Sequence, residues 1–374
     1  MKARARLERR MEDRGLENFE DYETLRGLVE RYSPTGEEEG AVGWLVARMQ
    51  ELGYAQAFVD GAGNAVGVVG TGRRQIVLLG HIDTVPGEIP VQVDGEQLYG
   101  RGAVDAKGPL AAFVDAAAGL EPGEDWQVVV VGAVDEEGDS RGARHILERY
   151  RPEFCIIGEP SRWDRVTLGY KGSAWAEVCV RREASHSAGA GESACEAAVD
   201  VWDAVRGWAK SFNAGRTRIF EQVTPGLRGW ESGEDGFEEW ARLQLSVRLP
   251  IDLGPRDWYE QLGQLVAGAE VEPGGYSIPA YKGDKNTPLV RAFLSAIRKN
   301  RGAPNFVVKS GTADLNIVAP AWGCPAVAYG PGDSALDHRP DEHVSLEEYG
   351  KAVKVVREVL KELRIAIGDR AARQ

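Results

Sequence analysis

Four short apolar runs constrain this chain more than any other feature: residues 75–80 (QIVLLG), 128–134 (VVVVGAV), 154–158 (FCIIG) and 326–329 (AVAY). Their apolarity is continuous rather than alternating, which is what a strand needs when both of its faces are covered. Helical patterns separate them. Residues 109–120 (PLAAFVDAAAGL) predict a helix with proline in its first turn, and a final helix begins at Ser345, where Ser345 and Glu348 form a capping-box pattern. The fold class expected is α/β, with a largely parallel, helix-covered sheet. Ligands of such sheets collect outside the carboxyl ends of the strands. Polar clusters stand at those ends: His81 and Asp83 after the first run, DEEG (135–138) after the second, and GEP (158–160) closing the third. They are expected to converge on one crevice.

A chain of 374 residues exceeds the size at which one core keeps growing, so two domains are expected. The pattern changes between residues 172 and 282, where SAWAEVCVRR reads as a strand, 193–212 as a helix and ARLQLSVRLP as another strand. This small α+β insertion splits a catalytic domain into two sequence pieces, 1–171 and 283–374. Residues 61–70 (GAGNAVGVVG) lack the GxGxxG spacing of a dinucleotide loop and read as part of a hairpin. A formal charge of -13 argues against a general nucleic-acid binder, and no apolar run approaches 18 residues, so no membrane partner is expected. The opening MKARARLERRMEDRG lacks the apolar stretch of a secretory signal and reads as a frayed, charged helical extension or as a start codon placed too early. Cys155, Cys179, Cys195 and Cys324 show no CxxC spacing and read as buried thiols, which places the protein in the reducing cytoplasm.

The acids and histidines suggest a two-metal hydrolase. Two divalent ions about 3.5–4 Å apart need one ligand that can bridge, plus terminal His or carboxylate ligands for each. Asp105, in GRGAVDAKG, is the candidate bridge. His81 and Asp83, two apart on an extended end, face the same side, so Asp83 can fix the imidazole tautomer. Glu136 and Glu137 can diverge, and we assign Glu136 as general base and Glu137 as ligand. Glu159, held before a proline, completes one shell. Of His338 and His343, His338 follows the AVAY strand and a Gly/Pro-rich turn into the crevice, whereas His343 lies near the cap of the last helix; His338 is chosen. His145, in GARHILERY, reads as helix surface.

With GHIDTVP, GRGAVDAKG, DEEG, GEP, SGTAD and HRPDE, over residues 76–342, the chain resembles the M20 metallopeptidases and deacylases. The resemblance implies a zinc-peptidase-like fold whose inserted lid also serves dimerisation. It implies that His81, Asp105 and Glu159 hold one metal ion and Asp105, Glu137 and His338 a second, with Glu136 as general acid/base and Asp83 orienting His81. It further implies a cis peptide bond between Asp105 and Ala106, and a lid histidine, here His186, reaching across a homodimer to polarise the scissile carbonyl. The cofactors expected are two divalent metal ions, zinc or cobalt, since His and carboxylate ligands suit both.

Glutamate at position 159 resembles the deacylases more than the aminopeptidases. GHIDTVPGEIPV, IIGEPSRWDRVTLGYKGS and AVAYGPGDSALDH look most like the amino-group carrier protein lysine hydrolases of lysine and arginine biosynthesis. Those enzymes release lysine, and in some organisms ornithine, from the C-terminal glutamate of a small carrier protein. Where common members of the family carry Gly-Gly-x-x-x-Asn in the lid, this chain has TPGLRGWESGEDG. Lys171 and Arg248, with Thr312 nearby, are candidates to bind the lysine carboxylate. Arg206, Lys210, Arg216, Arg218 and Arg228, against the single acid Glu221, suggest docking of an acidic carrier. The rival readings are a small-molecule deacylase for N-acetylornithine, N-acetyllysine or N-succinyl-diaminopimelate, a carboxypeptidase of the same family, and a non-catalytic binding protein on the same fold.

Overall fold

The four apolar runs form the middle of a nine-stranded sheet in a computed structural model, which describes residues 22–121, 123, 125–184, 186 and 191–371. The charged opening of the chain lies outside the described residues. Along the chain the first strands are β1 (Gln56–Val59), β2 (Ala65–Gly70), β3 (Arg74–His81), β4 (Gln92–Asp94), β5 (Gln97–Tyr99), β6 (Trp126–Ala133), β7 (Phe154–Gly158) and β8 (Arg165–Tyr170). There follow β9 (Gly172–Glu183), β10 (Thr224–Glu234), β11 (Glu238–Leu249), β12 (Glu270–Ile278), β13 (Tyr281–Lys282), β14 (Asn305–Lys309), β15 (Ala326–Tyr329) and β16 (His343–Ser345). The helices are α1 (Glu23–Val29), α2 (Glu39–Glu51), α3 (Lys107–Ala117), α4 (Arg141–Ile146), α5 (Ala194–Phe212), α6 (Pro255–Leu265), α7 (Pro288–Lys299), α8 (Leu315–Trp322) and α9 (Leu346–Ala371).

The large sheet runs β1-β2-β6-β3-β7-β15-β8-β13, with β14 beside β8. Its four central strands, β6, β3, β7 and β15, are parallel, as their continuous apolarity requires. Toward both edges the pairing turns antiparallel, so the sheet is mixed: β2 lies antiparallel on β6, and β8 on β15. The glycine-rich segment is the hairpin β1–β2, with Val59 opposite Ala65.

The chain divides into two units. Unit 1 takes the described residues up to Leu168, Gly283–Val307, and those from Ile317 on; unit 2 takes Gly169–Lys282 and Val308–Asn316. The second segment of unit 2 contains SGTAD, which the sequence reading groups with the later catalytic piece. Hydrogen bonds explain the placement: the Asn316 side chain donates to the carbonyls of Lys171 (3.1 Å) and Pro279 (2.9 Å), and the Lys171 N–H donates to the Lys309 carbonyl (3.1 Å).

Unit 2 is an antiparallel sheet, β10-β11-β9-β12, with α5 and α6 on one face. Alternate residues Ala176, Val178 and Val180 of β9 and Leu243, Leu245 and Val247 of β11 join Ala198, Val205, Trp258 and Leu262 in its apolar core. Ser193 caps α5 in a complete capping box with Glu196. Cys195 corrects the expectation of buried thiols. It is exposed, on a first turn whose buried residues are Ala194, Ala197 and Ala198, whereas Cys155 and Cys179 are buried. The pattern at Ser345 is only half realised. Ser345 Oγ accepts the Glu348 N–H at 3.3 Å, but the Glu348 carboxylate accepts the N–H groups of Trp163 (2.9 Å) and Gly332 (3.3 Å) instead.

Three glycines let α3 approach the strand ends. Gly132 of β6, Gly80 of β3 and Gly158 of β7 stand side by side in register. A Cβ on Gly80 would come 3.1 Å from Leu110 Cβ, and one on Gly158 would come 3.0 Å from Phe113 Cε2. Both partners are fully buried, so neither can yield without disturbing the core. The variant Gly158→Val is therefore expected to lose about 1–3 kcal/mol of stability by overpacking. Urea unfolding of unit 1, followed by tryptophan fluorescence, checks this; a wild-type midpoint would contradict the close-approach explanation.

Candidate active site

The parallel strands end on one polar group after another, all within unit 1. β3 ends at His81, with Asp83 two residues on; β6 leads to Glu136 and Glu137, and β7 to Glu159. Two residues take left-handed backbone conformations to turn these loops, Asp135 (φ 67°) and His338 (φ 62°). Asp105 precedes α3, and the peptide bond between Asp105 and Ala106 is cis. The Asp105 carboxylate faces both histidines, with Oδ1 3.2 Å from His81 Nε2 and Oδ2 3.1 Å from His338 Nε2. His338 Nε2 is also 2.9 Å from Glu137 Oε1.

Two triads follow, each with ligand atoms within 4.8 Å of one another: His81, Asp105 and Glu159, and Asp105, Glu137 and His338. They share Asp105. A third group, His81, Glu136 and Glu137, meets the same limit and keeps Glu136 beside the first two. Two imidazoles and three carboxylates, one of them common to both triads, are a chemical fit for a pair of borderline divalent ions.

The residues around this set orient it. His81 Nδ1 lies 2.9 Å from the main-chain oxygen of Asp83 and 3.5 Å from its Oδ1, so the carbonyl is the nearer acceptor and Nε2 is left for a ligand. The buried Asp83 carboxylate has another task. It accepts the N–H groups of Glu136 (3.0 Å) and Glu137 (3.1 Å) and the Thr35 hydroxyl (2.9 Å), which sets the turn carrying both glutamates.

Glu342 plays the matching part for Asp105. Fully buried, it accepts the N–H groups of Val104 (2.9 Å) and Asp105 (3.0 Å) through Oε1, and Arg101 Nη1 donates to its Oε2 at 2.9 Å. The residue-by-residue reading assigned no role to Glu342, Arg101 or Thr35. The available signal for Glu342 was its place in HRPDE, four residues after His338. Lys107 is buried too; burial lowers its ammonium to about 7, and Nζ donates to the Arg31 carbonyl at 2.6 Å.

Charge pairing is strong in this cluster. Burial pushes the Asp105 carboxyl up, but hydrogen bonds from His338 and His81 outweigh it and hold the group below its ordinary value. Burial opposes a charge on His81, yet hydrogen bonds to Asp105 and Asp83 and the nearby Glu136 charge raise it well above the usual imidazole value. Hydrogen bonds to Asp105 and Glu137 raise His338 to about 10 from 6.5. A group raised in this way stabilises the fold fully below pH 6.5, and that contribution is lost as pH rises through about 10. In the protein alone the raised His338 imidazolium thus balances part of the charge of Asp105 and Glu137.

The remaining candidates divide. His343 is turned to other partners, with Nδ1 2.7 Å from the Asp341 carbonyl and its ring 4.7 Å from that of Tyr99. In unit 2, Arg248 Nη1 donates to the Thr312 hydroxyl at 3.1 Å, so these two substrate-binding candidates are brought together. Lys171 is corrected. It is fully buried, and its ammonium donates to the Ile219 carbonyl (3.1 Å), the Gln222 carbonyl and the Thr224 hydroxyl (3.0 Å). All three protons are engaged, which makes it an anchor for residues 219–224 rather than a carboxylate receptor. His186 is an exposed residue of unit 2, just past β9.

The excess of cations over residues 206–228 also shrinks on folding. Arg206 pairs with Asp203 (3.3 Å), Arg218 with Glu221 (3.8 Å), and Arg216 makes a two-pronged contact with Asp252 (3.0 and 2.7 Å). A docking surface resting on five unneutralised cations is therefore not what the fold presents.

Two outcomes are expected for the cluster. Because a metal ligand must be a neutral imidazole, ion binding at pH 7 should release about one proton from His338 alone, and affinity should rise about tenfold per pH unit for each proton displaced. Calorimetry in buffers of different ionisation enthalpy measures this; binding without proton release would contradict the charge assignment. Glu342→Ala should weaken metal binding about 10- to 100-fold, whereas Glu342→Gln, which keeps one acceptor oxygen, should lose less. Metal titration of both variants, with circular dichroism as a folding control, distinguishes a positioning role from simple destabilisation.

The chain is similar to several known proteins. A model described as Peptidase family M20/M25/M40 matches residues 77–362. The LysW-lysine hydrolase of Deinococcus radiodurans is 43% identical over 350 residues, covering 91% of this chain and 96% of that protein. The LysW-lysine/LysW-ornithine hydrolase of Saccharolobus islandicus is 29% identical over 349 residues, 91% of this chain and 95% of its own length. Among solved structures, an M20 family metallo-carboxypeptidase from Sulfolobus solfataricus superposes with a TM-score of 0.75 at 18% identity, covering 93% of this chain and all of that one (100%). A dinuclear metal-binding M20 peptidase from Bacillus subtilis gives 0.69 at 14% identity, covering 91% and 96%. The shared fold, the matched family model and these relatives lead to one conclusion: the chain belongs to peptidase family M20/M25/M40.

Proposed function

We propose that this protein is a di-metal amidohydrolase that releases lysine, or ornithine, from the γ-carboxyl of the C-terminal glutamate of a small amino-group carrier protein. The observation that supports the chemistry is the Asp105 carboxylate shared between two ligand triads. The substrate reading follows the named activity of the Deinococcus radiodurans relative.

His81, Asp105 and Glu159 would hold one ion and Asp105, Glu137 and His338 the other, as zinc or cobalt. When bound, such a pair polarises a carbonyl and acidifies the attacking water. Glu136 takes that water's proton and returns it to the departing amine. Its reach is set by Asp83, which grips the Glu136 N–H at 3.0 Å. Arg248, steadied by Thr312, receives a substrate carboxylate. His186, contributed across a homodimer, donates to the developing oxyanion. Lysine release belongs in the cytoplasm, and no described helix is long and apolar enough to cross a membrane.

The test is a comparison of carrier-linked lysine with N-acetyllysine and N-succinyl-diaminopimelate. Higher kcat/KM on the carrier-linked substrate is expected; equal or better turnover of an acylated small molecule would replace this reading with a deacylase. Glu136→Gln should lower kcat about 10²- to 10⁴-fold while two ions remain bound. Loss of an ion in that variant would move Glu136 from base to ligand.

A further inference from the structure

Glu348, in the first turn of α9, turns away from its own helix cap and places one oxygen between two other segments. Its Oε1 accepts the Trp163 N–H at 2.9 Å and the Gly332 N–H at 3.3 Å. Those amides belong to different loops of unit 1. Trp163 lies between β7 and β8, four residues after Glu159, and Gly332 lies beyond β15, six residues before His338. Each loop carries a ligand of a different triad, since Glu159 completes one and His338 the other.

The two loops are laced together around that oxygen. The Ser161 N–H donates to the Gly330 carbonyl (3.1 Å) and the Arg162 N–H to the Gly332 carbonyl (3.0 Å), while the Arg162 guanidinium pairs with the Asp333 carboxylate. The Tyr329 hydroxyl donates to the Trp163 carbonyl at 2.6 Å. Two glycines let the loops close. A Cβ on Gly330 would stand 2.5 Å from Pro109 Cβ and 2.9 Å from the Glu159 carbonyl oxygen, and one on Gly332, whose φ is 102°, would stand 2.9 Å from Val104 Cγ1. The turn therefore rests against Glu159 and against the residue before Asp105. Arg162 takes a left-handed φ of 67°, which a non-glycine residue holds only where its surroundings fix it. Of the acceptors that fix these backbone N–H groups, the Glu348 carboxylate is the charged one, and charge-assisted bonds are the stronger kind.

We propose that Glu348 is a positioning residue for both metal sites: by holding Trp163 and Gly332 to one oxygen, it fixes the loop of Glu159 to the loop of His338 and so sets the spacing of these two ligands on either side of Asp105. This rests on the di-metal reading above. Ligands divided between separate loops hold two ions at one spacing only when the loops cannot shift independently. Asp83 steadies His81 and the turn of Glu137, and Glu342 steadies Asp105. Glu348 does the same for the two ligands that remain.

Zinc titration of the full chain by calorimetry, together with hydrogen exchange followed by mass spectrometry, tests this. Glu348→Ala should lower the affinity for both ions, toward the lower end of the about 10- to 100-fold that loss of an outer-shell partner costs, and should speed exchange in peptides covering 159–165 and 330–338 together. Glu348→Gln keeps an acceptor oxygen and should restore most of both. Val359→Ala, which opens a cavity on the buried face of the same helix, should lower the thermal midpoint but leave zinc affinity and loop exchange as in the wild type. Unchanged affinity in Glu348→Ala, loss at one ion only, faster exchange confined to one loop, or an equal loss of affinity in Val359→Ala would overturn the assignment. If the wild-type protein takes up fewer than two zinc ions, the di-metal reading fails, while the exchange result still decides whether Glu348 joins the loops.

Discussion

The Asp105 carboxylate presents one oxygen to each of two histidines, at 3.2 and 3.1 Å, and the rest of unit 1 is arranged around that division. Five acidic side chains, Asp83, Asp105, Glu136, Glu137 and Glu159, lie close to this point, and like charges in a partly buried space repel unless cations stand among them. The raised His338 imidazolium does so in the protein alone, and divalent ions would satisfy the same demand more fully. Burial opposes each of these charges, and their hydrogen bonds and mutual attraction outweigh it.

Precision comes from carboxylates that are not candidate ligands. Asp83 holds the backbone of Glu136 and Glu137, and Glu342 holds the backbone of Val104 and Asp105. Glu342 also lies on the loop that carries His338, so the segment supplying the second histidine fixes the acid that faces it. Rigid support of this kind matters because a displaced ligand loses affinity steeply. Beneath it, the row Gly132, Gly80 and Gly158 lets Leu110 and Phe113 seat α3 against the strands just before they deliver His81, Glu136 and Glu159. Packing and chemistry meet at one level of the sheet.

Much of this was legible from local pattern. Buried parallel strands announce themselves by continuous apolarity, and a polar residue just past such a strand is placed by the strand's direction. His81, Glu136, Glu137 and Glu159 could be located on that basis, and His338 could be separated from His343 by the turn preceding it. Asp105 is less obvious, since it precedes a helix rather than ending a strand; the motif GRGAVDAKG was its only marker. Glu342 went unassigned because it ligates nothing in the reading and its partners, the Val104 and Asp105 backbone and the Arg101 side chain, lie more than 200 positions earlier in sequence.

Elsewhere local pattern misled. Lys171 has the position of a substrate cation, yet three oxygens from residues 219–224 consume its protons. The positive stretch 206–228 looked unopposed because Asp203 and Asp252 lie outside the window counted. Thr312 reads as part of the later catalytic segment until Asn316 ties its neighbourhood to Lys171 and Pro279. The sequence by itself determined the strands, the acids and histidines at their ends, and the inserted α+β unit, because hydrophobic period and strand direction are properties of short segments. Only the tertiary structure decided which cations are already engaged by protein oxygens and which carboxylates hold backbone N–H groups. A charge or a hydrogen-bond donor is committed by whatever partner folding brings within about 3 Å, and for Lys171, Arg216 and Glu342 those partners lie dozens to hundreds of residues away.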